Sequence, residues 1–224
     1  TGGAVEIDPV IYSTGIAYSE GPLWLAATYQ KHEDWVAAGL DTRADAAVDV
    51  ASGSDTESYR IAGRYIADMG NGASLTLSAM WENLEYEVND IHTDFFQTFG
   101  FSSNVFGTVT AGTNATIDRD AWMVSGKYTA GGPLNFRFMY AQADDYDVKA
   151  TFIDGQQNRT SDTGSDMLVL GAYYSLGDST EFGLTYNEID NDKHGAYGTG
   201  IGGYGLGAVG GKTEILGLNV ITMF

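Results

Sequence analysis

The stretch Lys212–Phe224 reads K-T-E-I-L-G-L-N-V-I-T-M-F. In an extended strand, successive side chains point to opposite faces. Leu216, Leu218, Val220 and Phe224 therefore share one face, and Gly217 and Asn219 share the other. One face is apolar and the other is small and polar.

The same period recurs elsewhere in the chain in segments of about ten residues. In P-L-N-F-R-F-M-Y-A-Q from Pro133, Leu134, Phe136, Phe138 and Tyr140 oppose Asn135, Arg137 and Met139. In A-S-L-T-L-S-A-M-W-E from Ala73, Leu75, Leu77, Ala79 and Trp81 oppose Ser74, Thr76, Ser78, Met80 and Glu82. Phe182, Leu184 and Tyr186 oppose Glu181, Gly183, Thr185 and Asn187. Trp122, Val124 and Tyr128 oppose Met123, Ser125 and Lys127. Tyr59, Ile61, Gly63 and Tyr65 oppose Arg60, Ala62 and Arg64. Further strands are expected near Val10 to Ser19, Pro22 to His32, Asp166 to Ser175 and Lys212 to Phe224, making about nine in all.

The connections alternate in length. Tight ones fall at Glu20, Met69, Ala130 and Leu176, each with Gly, Asn or Asp turn chemistry. Pro22 and Pro133 sit where a strand begins, a position a sheet tolerates. Long polar loops are expected near Asp34 to Thr56, Glu87 to Asp118, Asp144 to Ser165 and Ile189 to Gly211. Short turns on one rim and long loops on the other are the build of an outer-membrane barrel.

Composition agrees. Glycine numbers 30, tyrosine 14 and phenylalanine 10 against 3 prolines, which favours strands and turns. The longest apolar run, near Met167, is far shorter than the roughly 18 to 20 residues of a membrane helix. Lys plus Arg number 11 against 30 Asp plus Glu, a formal charge of -19, which excludes a nucleic-acid partner. The absence of cysteine fits passage through an oxidising periplasm without requiring it. No signal peptide is visible at Thr1.

A soluble β-sandwich also alternates. Three features favour an all-β, transmembrane, antiparallel up-and-down barrel. Aromatics stand near both ends of strands, as with Trp122 and Tyr128 or Phe136 and Tyr140, the interface positions of a membrane strand. The opposite face is small and polar, unlike a packed core. The loop lengths alternate strictly. With short turns at the periplasm, Phe224 ends there, as a terminal insertion signal. Counting back about nine strands places Thr1 on the extracellular side, whereas a bacterial barrel has an even count. The expectation is one barrel domain over residues 1–224, the C-terminal part of a longer barrel lacking an odd number of upstream strands. The alternative is a strand overlooked between Glu87 and Asp118, where F-G-T-V-T-A-G can pair.

S-T-G-I-A-Y-S-E-G-P-L-W-L-A-A-T-Y-Q-K from Ser13, A-Y-Y-S-L-G-D-S-T-E-F-G-L-T-Y from Ala172 and the terminal strand resemble strand–turn–strand segments of Gram-negative general porins. The likeness spans most of the chain as a pattern and is close in wording only in these three stretches. It implies a sixteen-stranded trimeric barrel in the outer membrane that passes small hydrophilic solutes, embedded in lipid and lipopolysaccharide. The family's constriction loop often carries a Pro-Glu-Phe type motif, and none occurs here.

Pores filter by rings of charge in a narrow aqueous passage. The polar face supplies Arg60, Arg64, Lys127 and Arg137, with Glu82 and Glu181 as acidic partners. Arg or Lys on the lipid face near the midplane costs roughly 2 to 4 kcal/mol, which drives such residues inward. These six are the expected pore-lining residues. Locally paired, solvated lumen charges are the plainer reading, with Glu82 or Asp68 as partners.

Carboxylates concentrate in the loops. Asp144, Asp145 and Asp147 form the best candidate for a loop-bound Ca²⁺, although no calcium-hand spacing is present. No resident cofactor is otherwise expected. His32, His92 and His194 lack metal-ligand spacing, no G-x-S-x-G occurs, and the glycine-rich Gly198–Gly211 lacks a phosphate-loop lysine. An enzyme is therefore not expected. The runner-up is a barrel that serves as adhesin, autotransporter anchor or scaffold around a partner.

Overall fold

The computed structural model describes residues 9–33, 54–91, 110, 113–151, 160–177, 179–198 and 209–222. The alternating segments form strands β1 (Val10–Glu20), β2 (Leu23–Glu33), β3 (Ser54–Gly70), β4 (Ala73–Ile91), β5 (Thr113–Ala130) and β6 (Leu134–Ala143). Then follow β7 (Asp147–Lys149), β8 (Ser165–Leu176), β9 (Thr180–Asn191) and β10 (Lys212–Thr222). Nine of them pair antiparallel in chain order, an up-and-down meander, and the short β7 pairs β5 off this path. Among the described residues no ladder joins β1 to β10, so the sheet has two edges.

β3, β4 and β5 run 17, 19 and 18 residues, longer than the apolar alternation in the sequence suggests. About 9 to 11 residues suffice to cross a bilayer. The surplus lies at the long-loop rim, where Asp55, Glu57, Glu85, Glu87, Asp118 and Asp120 occupy ladder positions. Backbone pairing continues past the point where the apolar pattern stops, because a strand in water still satisfies its N–H and C=O groups on its neighbours. The expected loops Asp34 to Thr56 and Glu87 to Asp118 are correspondingly shorter. Of the proposed F-G-T-V-T-A-G strand only Thr110 is described; its N–H donates to Thr151 O at 2.7 Å.

The tight turns form as expected. Gly72 and Gly131 both take positive φ (78° and 75°) and face each other across neighbouring turns. A Cβ on Gly131 would lie 2.4 Å from Asn71 O, so this contact requires glycine.

One face of the sheet is apolar and exposed, with Leu218 at 87%, Ile16 at 75% and Leu216 at 73%. Side chains of this size would be buried if an aqueous fold had a core to offer, so the face is built for lipid. Aromatics bound it on both sides. Tyr18, Tyr65, Tyr128, Phe136, Tyr174 and Phe182 stand toward the short-turn rim. Tyr12, Tyr59, Trp81, Trp122, Tyr140 and Tyr186 stand toward the long-loop rim. Hydroxyls of the second group donate to carboxylates farther toward the loops: Tyr140 to Asp166 (2.7 Å), Tyr59 to Glu57 (3.1 Å) and Tyr186 to Glu214 (2.9 Å). Apolar ring and wet hydroxyl mark a lipid–water boundary.

Buried apolar residues are few among the described residues. Ala115, Ile117, Val148, Ile189 and Ala196 lie near the long-loop rim, where β7 extends the sheet beside β5. Among the described residues no larger apolar core packs against the other face.

Candidate pore wall

The face opposite the lipid surface carries the charges that the sequence places there. Arg60 on β3 lies directly across from Glu82 on β4. Its Nε donates to Glu82 Oε2 at 2.5 Å, and Nη2 donates to the same oxygen. Arg137 on β6 makes a denser arrangement. Its Nη2 donates to both oxygens of Glu181 (2.7 and 2.6 Å), and its Nε donates to Asn135 Oδ1 at 3.0 Å. Asn135 Nδ2 in turn donates to Glu181 Oε1 at 2.8 Å.

The guanidinium of Arg137 stacks 3.9 Å from the ring centre of Tyr173. That ring lies over Gly171 and Gly183, where an added Cβ would come within 2.5 Å of ring carbons. Two glycines on adjacent strands make a flat seat, the tyrosine occupies it, and the arginine covers the tyrosine. Cation–π contact and the carboxylate hold the guanidinium from two sides.

Lys127 opposes Arg137 in the β5–β6 ladder. Like charges directly opposite repel, and Glu181 offsets this by its two-oxygen contact with Arg137. Arg64 lies 5.9 Å from the Trp24 ring centre. Among the described residues neither Arg64 nor Lys127 has a salt bridge. Asp68, considered as a partner for the arginines, instead accepts the Gly70 N–H at 2.8 Å in the turn. All six expected lining residues thus occupy one face, in two ion pairs and two unpaired cations.

One cation was missed. Arg119, on the same face of β5, is held by two tyrosines from the long-loop rim. Its Nη1 donates to Tyr146 Oη at 3.1 Å and to Tyr197 Oη, and its Cζ lies 4.9 and 5.2 Å from their ring centres. Burial pushes the Tyr197 hydroxyl well above the ordinary tyrosine range, so it stays protonated. The signal was available, since Arg119 shares strand parity with Met123 and Lys127. The expectation of a loop up to Asp118 hid it.

The aspartate metal candidate does not assemble. The Asp145 carboxylate accepts backbone N–H groups of Asp162 (3.1 Å), Thr163 (2.6 Å) and Gly164 (2.9 Å), fastening the connection before β8. Asp147 lies 3.7 Å from Lys149. Asp144 is fixed through its backbone N–H to Asp120 O at 2.9 Å. Among the described residues no group of three His, Asp or Glu is placed to hold a metal ion. Backbone donors occupy the Asp145 carboxylate, and a lysine rather than a second carboxylate stands beside Asp147. Phe224 lies outside the described residues.

Two solved structures share this fold. The anion-selective porin from Comamonas acidovorans aligns with a TM-score of 0.64 at 14% identity, covering 96% of this chain and 49% of that one. OmpT, an outer membrane protein of Vibrio cholerae, aligns with a TM-score of 0.60 at 13% identity, covering 96% and 55%. The chain therefore spans about half the length of the solved structures it resembles. No curated protein sequence matches it. The Gram-negative porin family model matches residues 4–194, and the lipid-facing sheet, paired aromatic borders and charged inner wall agree with it: the chain belongs to the Gram-negative porins of the outer membrane.

Proposed function

We propose that this chain forms the wall of a water-filled channel through which small hydrophilic solutes diffuse, and that the wall favours anions. The observation that carries the reading is the segregation of charge. The chain has a formal charge of -19. Yet the inner face presents Arg60, Arg64, Arg119, Lys127 and Arg137 along its strands, against Asp68, Glu82 and Glu181. Glu82 and Glu181 are engaged by arginines and Asp68 sits at the short-turn end, so five cations face three carboxylates along these strands. A narrow passage lined by low-dielectric walls focuses such a field on the permeating ion. The structural relative named as anion-selective supports the same direction.

Family membership favours passive permeation over catalysis, and trimeric assembly in lipopolysaccharide-bearing lipid belongs to the same proposal. The test is reversal potential in a salt gradient across planar bilayers. The wild-type protein is expected to prefer Cl⁻ over K⁺. Arg64→Gln with Lys127→Gln is expected to lower that preference several-fold at unchanged pore size. A preference for K⁺ in the wild type, or a double variant with an unaltered reversal potential, rejects the cationic wall. Bilayers that never conduct return the chain to the scaffold reading.

A further inference from the structure

Toward the long-loop rim from the Arg137–Glu181 pair the inner wall changes character. Met80, Met123, Ala141, Met167 and Ile189 are mutual ladder partners on five neighbouring strands of the meander. They form an unbroken apolar row on the face that otherwise meets water. A wall serving only hydrated ions gains nothing from such a row, and exposed apolar surface set among polar residues marks a contact site. The row lines a recess of about 310 Å³ that Tyr197 and Gly198 of the β9–β10 connection also line. That is the lower end of the usual size of a small-molecule site.

Arg119 lines the same recess. Among the described residues it bonds no carboxylate; its hydrogen-bond partners are two neutral hydroxyls, both through Nη1. The rings of Tyr146 and Tyr197 hold the guanidinium plane. Its Nε and Nη2 donors are left without a partner there, and their planar fork matches a carboxylate. Glu82, the acidic residue in the lining, is taken by Arg60.

We infer that this recess is a binding subsite for small carboxylates bearing an apolar tail, with the carboxylate on Arg119 and the tail along the methionine floor. The site rests on the channel reading in one respect: the solute reaches it through the water-filled lumen. Neither half suffices alone. Arg119 by itself holds acetate no better than any solvated arginine does, and the floor by itself has no preference of charge. Together they select by length and sign. Each methylene laid on the floor is expected to tighten binding roughly three- to fourfold.

The chain's 6 methionines provide the probe. Protein folded in lipid nanodiscs and labelled with ¹³C at the methionine methyls is titrated with hexanoate, acetate and hexylammonium. Hexanoate is expected to shift Met80, Met123 and Met167 saturably, leaving Met69 at the turn rim and Met139 lower on the wall as references. Acetate and hexylammonium are expected to shift none of the three. Arg119→Gln is expected to weaken hexanoate at least tenfold, while Arg119→Lys, which keeps charge without the fork, weakens it less. If Arg119→Gln fails to fold, Met123→Gln tests the floor and is expected to abolish the dependence on chain length. Equal shifts at all methionines, equal response to hexylammonium, or hexanoate affinity indifferent to both variants overturns the inference. KCl conductance separates the two readings. Conducting bilayers with silent methyls reject this subsite alone, and non-conducting bilayers reject the channel.

Discussion

Arg137 depends on residues that carry no charge. Its position is set by Glu181, by Asn135 and by a tyrosine ring that lies flat because Gly171 and Gly183 have no side chains. Gly183→Ala places a methyl 2.5 Å from two carbons of Tyr173, so the ring must lift and the stack on Arg137 opens. Over-packing of this kind costs about 1–3 kcal/mol. The unfolding midpoint in urea is expected to fall accordingly, and the ring-current shifts around Tyr173 are expected to disappear. Gly132→Ala, where an added Cβ has no neighbour within 4 Å, serves as the control and leaves both unchanged.

The sequence made the charges legible and this seat illegible. Parity alone puts Arg137 on the polar face. That Gly171, Tyr173 and Gly183 meet requires the β8–β9 register, in which Tyr173 opposes Gly183. Arg60 and Glu82 likewise become partners only once β3 and β4 are aligned.

At the scale of elements, the long-loop rim differs from the spanning strands. Residues 144–149 run into β7 beside β5, and 192–197 bring Tyr197 to Arg119; they are fastened by Asp145 on three backbone N–H groups and by Asn191 on Tyr197 O (3.0 Å) and Gly211 O (2.8 Å). The Asp192 N–H donates to Gly164 O at 3.1 Å, joining the two connections. Its carboxyl titrates above the ordinary aspartate value, first through desolvation and then through the carboxylates of Asp145, Asp166, Asp162 and Asp190. A folded state that holds this proton more tightly than the unfolded chain loses stability as pH rises through the raised value. Below the ordinary value of 3.8 both states are protonated and the effect vanishes. Asp192→Asn is therefore expected to raise the unfolding midpoint above wild type at pH 7. The gap is expected to close as pH falls toward 3.8. A constant gap across pH rejects this account.

Sequence reasoning placed the connections and not their fastening. Aspartates in loops read as solvated or metal-binding. Asp145 is neither, because its partners are backbone groups 17 to 19 positions away that no side-chain pattern announces. The extra length of β3, β4 and β5 escaped for a related reason. Apolar alternation reports only the part of a strand that meets lipid, and the ladder continues beyond it.

On the scale of the whole molecule, fold and compartment were the most legible, since period-2 alternation is repeated in every spanning strand and each repeat is independent support. The meander order followed from the tight turns, and the observed path confirms it. The short β7 was not foreseen, because three residues are too few to show a period.

The two faces of this sheet are separated by a single position in the chain, and that makes the gene sensitive to counting. Arg64 faces water and Tyr65 faces lipid because each lies an odd or even number of steps from Ile61. Inserting one residue after Ile61 inverts everything down to the turn, carrying Arg64 into the bilayer at roughly 2 to 4 kcal/mol if it reaches the midplane. Inserting two residues restores the parity. The register shifts in the described ladders, at Asp68/Gly70 and Val88/Ile91, lie next to a turn and at the far end of a long strand. Insertion variants after Ile61 are expected to separate by parity, with single insertions failing to reach the outer membrane in amounts where double insertions succeed, as measured by heat-modifiable mobility of membrane fractions. Reading frame, in such a protein, matters twice: once in threes for the codons and again in twos for the strand.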